Sequence, residues 1–280
     1  MRSKRLILAV GAAAAVWLSN MPAQAQSPLP GGGTARAGGS GVVQARYVAP
    51  TTRYAHGVLG DAIEAGGLAV RDASGKSHVF MLPEDSVFED ITPRLADLDG
   101  DGGAEVIVVR SYLTRGSALA VFGMRGGEFV RIAETAPIGR SARWLNPAGI
   151  ADFTGDGRLE VAIVKTPHIG GTLEFWRLSG RKLSRVSKLS GFSNHVIGSR
   201  ELGLAAVGDV DGNGVADLVL PAADRRALVA VSLAGGRAKV LGREALPAPV
   251  VGRVSVSGQN ASATLAGGRR TSVPFAALRG

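Results

Sequence analysis

Three nine-residue stretches concentrate the oxygen chemistry of this chain: Asp97-Leu-Asp99-Gly-Asp101-Gly-Gly103-Ala-Glu105, Asp152-Phe-Thr154-Gly-Asp156-Gly-Arg158-Leu-Glu160 and Asp209-Val-Asp211-Gly-Asn213-Gly-Val215-Ala-Asp217. Each places oxygen side chains at positions 1, 3, 5 and 9 and glycine at positions 4 and 6. Carboxylates crowded into one tight turn repel unless a cation sits among them, and Ca²⁺ takes six to eight such oxygens. An EF-hand also begins in this way, but it needs a bidentate Glu at position 12 between helices. Here position 12 is Val108, Ile163 or Leu220, each inside an apolar run. The ligand set closes at position 9, which describes a calcium loop within a β-hairpin.

The elements that must position these loops repeat with them. Successive loops start 55 and then 57 residues apart, the length of a propeller blade. An apolar run follows each loop at once (Val106–Val109, Val161–Val164, Leu218–Leu220), and a second alternating run comes about a dozen residues later (Ala118–Phe122, Thr172–Trp176, Leu228–Val231). Two copies add a third run, Phe129–Ile132 and Lys182–Val186. A short run precedes each loop: Arg94–Ala96, Ala148–Ala151 and Leu204–Val207. Four short strands joined by Gly and Asp turns make a blade. Weaker units without a loop flank the three, over Val58–Leu82 and Val250–Phe275. The expected fold is all-β, a β-propeller of about five four-stranded blades with calcium loops in three, over residues 51–280.

From Pro93 to Leu233 the chain resembles the FG-GAP or VCBS repeats, the calcium-loop blades of integrin-type propellers and of bacterial secreted proteins. That resemblance implies a loop between the outer strands of a blade, coordinating through side chains 1, 3, 5 and 9 and the carbonyl of position 7. Carried over by position, the first site uses Asp97, Asp99, Asp101, Glu105 and the Gly103 carbonyl. The second uses Asp152, Thr154, Asp156, Glu160 and the Arg158 carbonyl, and the third Asp209, Asp211, Asn213, Asp217 and the Val215 carbonyl. About three structural Ca²⁺ ions are implied. Glu stands where Asp is usual at position 9 of the first two loops, and Thr154 replaces an acid. The second site is expected to be weakest, with three carboxylates against four in the first.

At the N-terminus, Arg2, Lys4 and Arg5 precede the apolar run Leu6–Leu18 and the small-residue site Ala23-Gln24-Ala25. This is the pattern of a signal peptide over residues 1–25, cleaved after Ala25, and it places the protein in the periplasm or outside the cell. The run is short of the roughly 20 residues that span a bilayer, so no transmembrane segment is expected. Residues 26–50 are rich in Gly, Ala, Ser and Pro and read as a flexible linker. With no cysteine, disulfide staples and a lipidated N-terminus are both excluded. The net charge of +9 comes from scattered basic residues with few aromatics among them, a solubilising surface and not a specific nucleic-acid site. A monomer is expected.

Outside the loops, the side chains that could recognise a ligand lie at connections between strands: Arg110, Tyr112 and Arg115; Arg143, Trp144 and Asn146; Lys165 and His168; Asn194, His195 and Arg200. Such connections gather on the faces of a propeller. His168 and His195 sit in glycine-flanked turns and either line one ligand pocket or hydrogen-bond their own turns. Trp144 and Trp176 fit blade core better than a sugar platform. No nucleophile elbow, phosphate-cradling loop or zinc-protease motif occurs, so no catalytic residue is assigned and an enzyme is not expected. The expected function is an exported calcium-binding module for a protein or glycan partner, or a scaffold. The alternative is a carbohydrate-active enzyme of lyase or hydrolase type, with His168, His195 and Lys165 as its candidates.

Overall fold

The computed structural model describes residues 26–280. The signal-peptide expectation, residues 1–25, lies outside the described residues. Twenty β-strands follow, with two short 3₁₀ turns at Ala234–Gly236 and Phe275–Leu278. No helix there is long and apolar enough to cross a membrane.

The strands fall into five consecutive groups. The first is β1 (Thr34–Arg36), β2 (Ser40–Thr51), β3 (Glu64–Asp72), β4 (Ser77–Met81) and β5 (Ser86–Phe88). The second is β6 (Arg94–Ala96), β7 (Gly103–Tyr112), β8 (Gly116–Arg125) and β9 (Glu128–Glu134), and the third is β10 (Leu145–Ala151), β11 (Glu160–Lys165), β12 (Thr172–Ser179) and β13 (Lys182–Ser190). The fourth is β14 (Ala206–Gly208), β15 (Asp217–Pro221), β16 (Ala227–Ser232) and β17 (Lys239–Ala245), and the fifth is β18 (Val250–Ser257), β19 (Asn260–Leu265) and β20 (Arg270–Pro274).

Within the third, fourth and fifth groups, strands pair antiparallel in chain order, giving sheets of four, four and three strands. The first two groups share one nine-stranded sheet, because β5 bridges β3 to β7 and Ser40–Gly41 of β2 pair in parallel with Gly103–Ala104 of β7. The expected run of separate four-stranded units therefore becomes four hydrogen-bonded sheets, with the first two units fused and the last one strand short.

Side-chain alternation packs the groups as successive layers. Tyr47, Leu68 and Phe80 of the first meet Val106, Phe122 and Phe129 of the second. Ile107, Leu119 and Ile132 meet Trp144, Val161 and Ile163 of the third. Phe153, Phe175 and Leu173 meet Leu218, Val229 and Val231 of the fourth, and Val219, Leu228 and Ala230 meet Val254, Ala263 and Val273 of the fifth. Among the described residues no such apolar cluster joins the fifth group back to the first. On β19 the outward residues are Asn260, Ser262 and Thr264, a polar face suited to the end of a repeat array.

The expectation of a linker over residues 26–50 is overturned. β2 is twelve residues long and buries Val42, Ala45, Tyr47 and Val48 against β3 and β7. A Gly/Ala/Pro-rich composition lowers local propensity, yet these four side chains supply enough apolar surface once β3 is there to pair with.

Candidate functional site

Each nine-residue loop joins the first and second strands of its group: β6 to β7, β10 to β11 and β14 to β15. This differs from a loop between outer strands, since the most exposed strands are the last ones, such as β13 and β17. The three backbones superimpose in chemistry. Glycines 4 and 6 of each loop have φ of 78° and 84° (Gly100, Gly102), 79° and 84° (Gly155, Gly157), and 79° and 84° (Gly212, Gly214), a region costly for any side chain.

The position-1 carboxylate collects the amides that this turn leaves free. Asp97 accepts from Gly100 (2.8 Å) and Gly102 (2.9 Å), Asp152 from Gly155 and Gly157 (both 2.7 Å), and Asp209 from Gly212 (2.7 Å) and Gly214 (2.9 Å). At position 9, one carboxylate oxygen accepts the amide of position 2: Leu98 to Glu105 (2.9 Å), Phe153 to Glu160 (3.0 Å) and Val210 to Asp217 (2.9 Å). Leu98, Phe153 and Val210 are themselves core residues, so every loop is pinned from beneath.

The loops differ at the second oxygen of position 9. Glu105 Oε1 accepts from Arg125 (3.3 Å), whose guanidinium also donates to Asp99 (2.5 Å). Glu160 Oε1 is held by Arg177, which reaches Asp156 (2.7 Å) and the Thr154 hydroxyl (2.7 Å) as well. Asp217 Oδ1 is fully buried with no hydrogen-bond partner, although Ser232 opposite it in the sheet helps to favour the ionised form. Burial raises the pKa of both Glu105 and Asp217.

Carboxylate oxygens of Asp97, Asp99 and Glu105 lie within 4.8 Å of one another, as do those of Asp209, Asp211 and Asp217. That spacing could hold a hard cation, and the orphaned oxygen of Asp217 is the acceptor such an ion would use. Asp101 and Asn213 stand exposed at the rims of these loops.

A second constellation lies away from the loops. His56, Arg143, Trp144, Thr166, His168, Ile169 and Ile197 line a cavity of about 460 Å³. Trp144 is buried, and its indole N–H donates to the Glu89 carbonyl (3.0 Å). His168 stacks parallel to it (6.2 Å between centroids, 6° between planes), and His195 meets it edge-on (4.7 Å, 62°).

The hydrogen bonds fix the tautomers. His195 Nε2 faces the Ser199 carbonyl (2.8 Å), which only accepts, so that nitrogen carries the proton and Nδ1 accepts from His168 Nε2 (2.9 Å). His168 Nδ1 is left with a lone pair. Burial first, and for His168 then the neighbouring His195, lowers both pKa values to about 4, so both rings are neutral at pH 7. His56 is held at Nδ1 by the buried Glu89 carboxylate (2.6 Å), which also accepts from Ser111. Ile169 and Ile197 are 60% and 67% exposed at the rim. Another groove, about 500 Å³ along Gln44, Arg46, Arg71 and His78, has polar walls, and its histidine is already paired with Asp72 (2.7 Å).

Residues 97–163 match the FG-GAP-like repeat family. The chain carries an FG-GAP-like repeat. No curated protein matches the chain. The matched span runs from the first loop through β7, β8, β9 and β10 and across the second loop into β11.

The ligand residues expected from sequence do not gather at one place. Trp144 and His168 line the cavity, and His195 is buried against both of their rings. Arg110 is buried, donates to Ser86 and Glu134 (3.2 Å to the latter) and lies over the Tyr112 ring at 4.4 Å, while Tyr112 donates to Glu134 (2.6 Å). Arg115 covers the same ring from 4.0 Å. Arg200 pairs with Asp61 (2.5 Å) and donates to the Gly31 carbonyl (3.2 Å), tying the N-terminal segment down. Asn146 and Asn194 are fully buried and exchange amide-to-carbonyl bonds of 3.1 and 3.2 Å beneath the cavity. Lys165 pairs with Glu174 (3.1 Å) and does not line the cavity. Sequence reasoning missed His56, Glu89, Ile169 and Ile197. Of these, Ile169 and Ile197 carried a signal, as apolar residues in the Pro167-His168-Ile169-Gly170 and His195-Val196-Ile197-Gly198 turns.

Proposed function

We propose that this protein is an exported, calcium-stabilised, propeller-like binding module whose ions are structural and whose ligand is a glycan or protein surface. The observation that carries the reading is the cavity of His56, Trp144, His168, Ile169 and Ile197: a preformed apolar recess of ligand size whose rigid floor presents few polar atoms. Neutral His168 offers an acceptor, and the exposed isoleucines offer an apolar wall, a combination suited to a sugar with hydroxyl donors on its edges and C–H groups on its face. The FG-GAP-like repeat supports the frame, and the orphaned oxygen of Asp217 supports the cation.

The calcium ions would be held by Asp209, Asp211, Asn213 and Asp217 in the third loop and by Asp97, Asp99, Asp101 and Glu105 in the first. Bound there, an ion supplies charge neutralisation and cross-links the two ends of a turn; it exposes no reactive position in this reading. A glycan array probed with wild-type protein and with Ile197→Asp tests the binding site. Signal on one glycan class that the variant loses while its fold persists supports it; equal signal from both variants contradicts it, and capture of a protein in place of a glycan moves the partner class.

A carbohydrate-active enzyme is the second reading, and one observation favours it. His56, held at Nδ1 by buried Glu89, has the orientation of a positioned base. Release of unsaturated uronides, lost in His56→Ala, would establish that class.

A further inference from the structure

We infer that the second loop takes no calcium, because the guanidinium of Arg177 stands in the cation's place and staples that loop permanently. The inference rests on the calcium reading of the other two loops for its comparison, but its own support is the geometry around Arg177.

Sheet register decides the difference. Glu160, at position 9, pairs directly with Arg177 across β11 and β12, so the guanidinium is delivered to the ligand cluster by the strand next door. The residue opposite Asp217 is Ser232, and Gly123 lies against Glu105. Neither can supply a charge. In the second loop the planar fork of Arg177 engages three of the four expected ligand side chains: Glu160, Asp156 through both carboxylate oxygens (2.7 and 3.1 Å) and Thr154 (2.7 Å). A guanidinium has five donors in a rigid plane and matches several oxygens at once, and it cannot be deprotonated at ordinary pH. Desolvation opposes its charge, but the bonds to Glu160 and Asp156 outweigh that and raise its pKa.

Arg125 near the first loop is not equivalent. It reaches the loop from the end of β8, donates to Asp99 (2.5 Å) and Glu105 (3.3 Å), comes no nearer to Asp101 than 3.9 Å where Arg177 grips both oxygens of Asp156, and stays about twice as exposed as Arg177. Three carboxylates, Asp97, Asp99 and Glu105, converge in the first loop, whereas in the second the middle acid is replaced by the Thr154 hydroxyl, 3.4 Å from Asp152 and from Glu160. The Thr154 substitution falls into place: with a cation built into the strand, an acid at position 3 is unnecessary, and a hydroxyl that accepts from the guanidinium replaces it.

The test is a count of bound ions by native mass spectrometry of the mature protein in CaCl₂, with melting in EGTA as a second readout. Wild-type protein is expected to carry two ions and Arg177→Met three. The Met variant should melt below wild type in EGTA and recover in calcium. Asp152→Asn, which keeps an acceptor for the Gly155 amide, should leave the count at two. Three ions on the wild type, a loss of one ion in Asp152→Asn, or no gain in Arg177→Met would each overturn the inference. Should Arg177→Met not fold, Asp152→Asn decides alone. If the wild type binds no calcium, the reading of the other loops fails, and the gain of an ion in Arg177→Met still tests this one.

Discussion

Glu160 and Arg177 face each other in direct register across β11 and β12, and the guanidinium closes on the carboxylate while reaching Asp156 and Thr154. One loop backbone is thus met by three electrostatic situations: a complete internal cation in the second loop, a partial one in the first, and an uncompensated buried oxygen in the third. Stability and cation dependence should therefore vary from loop to loop although the turns are alike.

The position-2 residues anchor the loops regardless of any ion. Phe153 is fully buried and packs edge-on against Phe175 at 5.2 Å. Phe153→Ala is expected to cost about 3–5 kcal/mol by denaturant unfolding. A loss below about 1 kcal/mol would mean that the loop is not pinned to the core.

Glu64 makes stability fall as pH rises. It is buried with both oxygens unpartnered, and burial, then the charges of Glu89, Asp61 and Asp90, push its pKa up to about 9. Between the ordinary carboxyl value of 4.5 and about 9, the folded chain keeps a proton that the unfolded chain gives up. Stability then declines by at most about 1.4 kcal/mol per pH unit from this group. Glu64→Gln lacks that slope, so its melting temperature should gain on wild type steadily from pH 5 to 9. Parallel curves would contradict the assignment.

The histidine pair acts in the opposite direction. With folded pKa values near 4 against an ordinary 6.5, His168 and His195 stay neutral while the unfolded chain takes up protons. Their contribution is complete above pH 6.5 and is lost as pH falls toward 4. His195→Gln, which keeps a donor for the Ser199 carbonyl, should remove about half of that acid limb. An NMR titration placing either imidazole near 6.5 would remove the basis for the prediction.

Removal of residues 26–50 tests the place of β2. Because Val42, Ala45 and Tyr47 lie in the first core layer, Val48 is fully buried and Ser40–Gly41 pair with β7, the truncated chain should unfold or lose several kcal/mol. A truncated protein as stable as the full mature chain would return this segment to the status of a linker.

The loops were legible in the sequence because their chemistry is local: Asp at position 1, Gly at 4 and 6 and a carboxylate at 9 form hydrogen bonds within nine residues. The strands after them were legible because Val106–Val109 and Val161–Val164 are unbroken apolar runs. β2 was not, since glycine and proline mask its four core residues and its order comes from pairing with distant β3 and β7. Arg177 was hidden for the same reason, because seventeen residues separate it from Glu160 and only sheet register brings them together. The expected ligand set was too broad: Arg110 and Tyr112, at the end of β7, are satisfied by Ser86 and Glu134, and Arg200 by Asp61 and the N-terminal segment, while His56 reached the cavity from a unit with no motif.

The central claim is that cations staple a binding frame, and thermal unfolding of the mature protein in EGTA, then in Ca²⁺ and in Mg²⁺, tests it most directly. An ion tenfold above its Kd adds about 1.4 kcal/mol per site, so two sites should raise the melting temperature by several degrees. The account predicts a fall in EGTA, recovery in Ca²⁺ and none in Mg²⁺; a melting curve unmoved by all three would contradict it.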